Sequence, residues 1–147
     1  MDDKPRDPKE SVFDRLLTSE ILLSGLFMGA IVFSVWVFLL KKMNMDVGVA
    51  RGYIMALMVF MQNIHVFNCR SEKKSIFKTN PFGNPFVLVA VFGSIGLQLI
   101  IMHVPFLSHI LKTEPISAHH MLMLFLIAVP ILVLMEIFKL IRKKKYE

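Results

Sequence analysis

The residues able to do chemistry in this chain are few, and most of them crowd one short stretch. Gln62, Asn63, His65, Asn68 and Cys69 stand among otherwise apolar residues. An α-helix turns once in about 3.6 residues, so Gln62, His65 and Cys69 share one stripe, Asn68 lies at its edge and Asn63 points away. Two kinds of chemistry fit such a stripe. An amide carbonyl, such as that of Gln62, can give a cation one neutral oxygen. Amides and imidazole can also bond helices to one another, at roughly 1 kcal/mol or less each inside a membrane. Packing is the favoured role for His65, Asn68 and Cys69, while both roles stay open for Gln62.

Outside that stretch the inventory is thin. Cys69 is the single cysteine, which excludes an internal disulfide and cannot alone form a structural zinc site. His119 and His120 are adjacent, so on a helix they diverge by about 100° and cannot share a metal as an i, i+4 pair does. Glu136 lies one turn before the cluster that begins at Lys139, and pairing with Lys139 or Arg142 would relieve its desolvation. There is no Gly-rich phosphate-binding loop, and no residue is assigned a catalytic role.

The elements that must hold these residues are apolar runs. Of 147 residues 55% are hydrophobic and 19% charged, and the charges are gathered into blocks between uncharged runs of about twenty residues, the length that crosses a bilayer. Four spans are expected: Ile21 to Leu40, Gly52 to Asn68, Pro85 to Val104 and His119 to Ile137. The turn-rich Asn80-Pro81-Phe82-Gly83-Asn84-Pro85 opens the third and Pro105 closes it, while Pro130 should kink the fourth. Gly25 with Gly29, and Gly93 with Gly96, read as places where helix backbones approach closely. The first twenty residues are charged and contain Pro5 and Pro8, so they are no signal peptide and the first span is expected to be retained.

The net charge of +6 does not point to nucleic acid, because the basic residues flank the apolar runs instead of lining an amphipathic face. The partner they imply is a lipid bilayer. Lys4, Arg6, Lys9, Arg15, Arg70, Lys73, Lys74, Lys78, Lys139, Arg142, Lys143, Lys144 and Lys145 would share one side, leaving Lys41, Lys42, Arg51 and Lys112 on the other. The positive-inside rule then puts both termini and the middle loop in the cytoplasm. The expectation is an all-α membrane protein, a four-helix transmembrane bundle forming one domain over residues 1–147.

Three stretches resemble the C-terminal membrane portion, the last four transmembrane helices, of P-type cation-transporting ATPases of the calcium-pump-like branch. Arg6-Asp7-Pro8-Lys9-Glu10-Ser11-Val12-Phe13 resembles the cytoplasmic approach to the seventh helix. Gln62 to Phe77, with Asn68-Cys69-Arg70-Ser71-Glu72 and Ser75-Ile76-Phe77, resembles the eighth helix and its exit. Val104-Pro105-Phe106-Leu107 and Pro115-Ile116-Ser117 resemble the loop joining the ninth and tenth. The departures are Ala118-His119-His120, where the family has acidic or aromatic residues, and Gln62, where pumps with two cation sites carry a glutamate ligand. By this resemblance Gln62 is the candidate contributor to a cation path.

The resemblance implies a scaffold that braces the ion-binding helices of an ATP-driven cation pump, with calcium or a related divalent cation as cargo. The remaining pump domains would lie in cis or on a separate chain. No cofactor is expected in this chain itself, since ATP and Mg would be bound by those other domains, and these 147 residues alone should be inactive. The setting would be a multi-pass integral membrane location, the plasma (inner) membrane in a bacterium. The alternative is a free-standing four-helix accessory protein that binds or regulates a partner.

Overall fold

The computed structural model describes residues 15–70, 80 and 83–146, with side chains over 17–70, at 80 and over 83–141. The Arg6 to Phe13 segment, the Ser71 to Phe77 half of the second matching stretch and the side chains of Arg142 to Lys145 lie outside that description. The described residues form α1 (Arg15–Lys41), α2 (Val47–Cys69), α3 (Pro85–His103), α4 (Pro105–Leu111), α5 (Ala118–Ala128) and α6 (Pro130–Tyr146). Among the described residues four stretches are long and apolar enough to cross a membrane: Leu17–Lys41, Val47–Cys69, Pro85–His103 and Ala118–Ile141.

Local chemistry sets the boundaries. Asp46 caps α2, its Oδ1 accepting from the Gly48 N–H at 2.7 Å, so this helix starts five residues before the expected Gly52. Asn84 caps α3 by accepting from the N–H groups of Phe86 and Val87, and Pro85 follows as first helical residue, where its missing N–H costs nothing. Ser117 caps α5 through the His120 N–H. Pro130 divides the fourth span as expected: the Val129 N–H reaches only to the Leu126 carbonyl and the Leu132 N–H to that of Val129, the tighter i→i−3 pattern of a local break.

α2 is the hub. It packs against α1, α3, α5 and α6, and Leu57, Met61, Met102, Ile131 and Met135 are the largest fully buried apolar side chains among the described residues. Lipid tails are as apolar as leucine, so this core is held by close packing and not by expulsion of water. Another stretch of backbone comes close at Gly52, where an added Cβ would lie 3.1 Å from the Glu114 carbonyl oxygen.

The other glycines correct the sequence reading. A Cβ at Gly25, Gly29, Gly93 or Gly96 would meet nothing within 4 Å among the described residues, so none of these four marks a contact with another described helix. Spacing shows where a backbone could approach, but not whether a neighbour stands there. The short α4 was also unforeseen. It ends in a left-handed Lys112, φ 50°, with the Thr113 N–H on the Ser108 carbonyl and the Lys112 N–H on that of His109, a closing pattern in which glycine is the usual residue.

Candidate functional site

Along α2 the expected stripe forms. Gln62 and Cys69 are exposed and His65 is half-buried, and His65 Nε2 lies 3.4 Å from Cys69 Sγ one turn away. Met58 and Val66, exposed by 43% and 38%, continue the same open face. The hub helix therefore turns a polar line outward between the helices that cover its remaining sides. The Gln62 amide sits about 10 Å along the axis from the helix end at Cys69.

The residues facing away from that stripe bind the bundle together. Asn63 Oδ1 lies 2.9 Å from the Ser94 hydroxyl of α3, which is also 2.8 Å from the Val91 carbonyl and so can donate to either. The Tyr53 hydroxyl lies 2.8 Å from His120 Nδ1 at the start of α5, with the Ser117 hydroxyl 3.0 Å from the same nitrogen. Arg51 donates to the Leu111 carbonyl at the end of α4, 3.4 Å away. Asn68, placed at the stripe's edge by spacing, is wholly buried, and its backbone carbonyl accepts from Lys139 Nζ at 3.0 Å. Glu136 and Lys139 form the anticipated pair at 3.5 Å.

Ser94, Gln98, Glu20 and Tyr53 escaped the sequence reading. Gln98 is 4% exposed, and its position as the lone amide within an apolar span was signal enough to flag it. Glu20, 6% exposed, lies inside α1, one residue before the expected span from Ile21. Buried side-chain nitrogens of Asn63, Asn68 and Gln98 have no hydrogen-bond partner among the described residues. No three His, Cys, Asp or Glu side chains among them are placed to hold a metal ion.

Residues 1–141 match the family model described as "Cation transporting ATPase, C-terminus". The chain belongs to that family. It is 35% identical over 128 residues to a calcium-transporting ATPase of Bacillus subtilis, covering 86% of this chain and 14% of that protein. It is 32% identical over 142 residues to the human calcium-transporting ATPase type 2C member 2, covering 94% and 15%, and 32% identical over 147 residues to calcium-transporting ATPase 1 of Saccharomyces cerevisiae, covering 97% and 15%. The chain thus spans about 15% of the length of these relatives and corresponds to their C-terminal transmembrane region. The match favours a pump region over a free-standing accessory protein.

Proposed function

We propose that this chain is the membrane scaffold of an ATP-driven pump for calcium or a related divalent cation, and that Gln62 borders the cation path. The outward amide of Gln62 on the hub helix carries this reading. An amide left in hydrocarbon without a partner costs several kcal/mol, so a stripe that holds one belongs against protein or water and not against lipid. The pump's other helices are the natural cover, and ATP and Mg belong to the pump's other domains, in cis or on a second chain. The test is Gln62→Glu in the complete pump. A restored carboxylate should shift the cation concentration for half-maximal transport, or make it depend on pH, because charge strengthens an oxygen ligand for a hard cation. An unchanged cation titration, with stability alone reduced, would return Gln62 to a packing role.

The side of the bundle that holds α1's start, α2's end and α6's end faces the cytoplasm in this reading, supported by the lysine and arginine distribution. In a bacterium the membrane would be the plasma membrane. Reporter tags at either terminus and near Asn80 should read cytoplasmic, and tags near Asp46 and Glu114 exoplasmic. A cytoplasmic signal near Glu114 is incompatible with this arrangement.

A further inference from the structure

Lys139 lies in the fourth span, where a long ammonium side chain near a helix end ordinarily runs outward to the headgroups. It does the reverse. Only 7% of it is exposed, its Nζ donates to the Asn68 backbone carbonyl at 3.0 Å, and the Glu136 carboxylate lies 3.5 Å away as counter-charge. Asn68 is the last residue but one of α2, its carbonyl also accepts from the Arg70 N–H, and carbonyls in a final turn form the negative end of the helix dipole, with lone pairs that no intrahelical bond fills. A cation delivered by α6 therefore caps α2 from outside. Because the acceptor is backbone, the bond holds the helix itself and not one side-chain rotamer.

α2 runs from Val47 to Cys69 without a proline, so a rotation at its end is carried to Gln62 less than two turns earlier. The Asn63–Ser94 and Tyr53–His120 contacts hold α2 against α3 and α5, and Lys139 holds its terminal turn against α6. We infer that Lys139 is a positioning residue whose bond to Asn68 sets the rotation of α2 and thereby aims the Gln62 amide out of the bundle. This rests on the cation-path reading of Gln62.

The experiment measures calcium-dependent ATP hydrolysis by the complete pump, separating half-saturating calcium from maximal rate. Lys139→Met should raise half-saturating calcium roughly tenfold, the equivalent of about 1.4 kcal/mol, in protein corrected for its amount in the membrane. Lys139→Arg, which keeps a charged donor, should stay within about threefold of the parent. Should Lys139→Met fail to accumulate, Lys139→Gln, with a shorter neutral donor, should shift the affinity in the same direction. A variant with less protein but unchanged affinity would overturn the inference, since a purely structural tie alters yield alone. Gln62→Ala measured alongside separates the two ideas. If it shifts affinity and the Lys139 variants do not, the positioning role falls alone; if it leaves affinity unmoved, the reading of Gln62 falls and the route through it falls too.

Discussion

α1 and α2 are antiparallel neighbours of 27 and 23 residues built on opposite plans. α2 is the least apolar of the four spans, yet 33% of its most apolar stretch is buried, against 6% for the more apolar α1. In water the order would be reversed. A bilayer offers leucine nothing that lipid does not already offer, so hydropathy carries a helix into the membrane without choosing its neighbours. Polar groups and close backbone approach do the choosing. α2 has both, with ties to Ser94, His120 and Lys139 and the contact at Gly52. α1 instead presents Leu26 and Phe33, exposed by 73% and 67%, beside glycines that touch no other helix among the described residues.

The largest effect should come from filling the tight approach. Gly52→Leu sets side-chain atoms against the Glu114 backbone, which cannot swing away as a side chain would. A loss of about 3 kcal/mol is expected, at the upper end for overpacked sites, read from detergent-induced unfolding in mixed micelles. A variant as stable as the parent would mean that the first turns of α2 have room to move away from the Glu114 backbone.

The same substitution on α1 sharpens the contrast. Gly25→Leu has open space around it, so the unfolding of the four helices should move by no more than about 0.5 kcal/mol. If the open glycine face docks the pump's other helices, the complete pump carrying Gly25→Leu should assemble poorly all the same. Equal damage to the bundle and to the pump would contradict the division between a tied helix and an outward one. The smallest expected effect belongs to a single polar tie: Ser94→Ala removes the hydroxyl beside Asn63 and should cost about 0.6 kcal/mol, the usual size of such a bond between membrane helices. A loss several times larger would make that contact a principal anchor of α3.

Sequence alone determined that four helices of spanning length exist, where Pro85, Pro105 and Pro130 delimit or break them, and that Gln62, His65 and Cys69 share a stripe. These follow from hydropathy, from proline's missing N–H and from helix periodicity, all of which act within one segment. The matching stretches likewise carried the family, because order and spacing survive in one dimension. The partners of those faces were decided only by the tertiary structure. Asn68 is buried where spacing placed it at an edge, Gly25 and Gly29 stand open where their motif suggested a contact, and Lys139, expected only as a partner for Glu136, also reaches the Asn68 carbonyl of another helix. A side chain's azimuth on its own helix is local, but whether lipid, another helix or a carbonyl lies in that direction depends on elements up to 71 residues away.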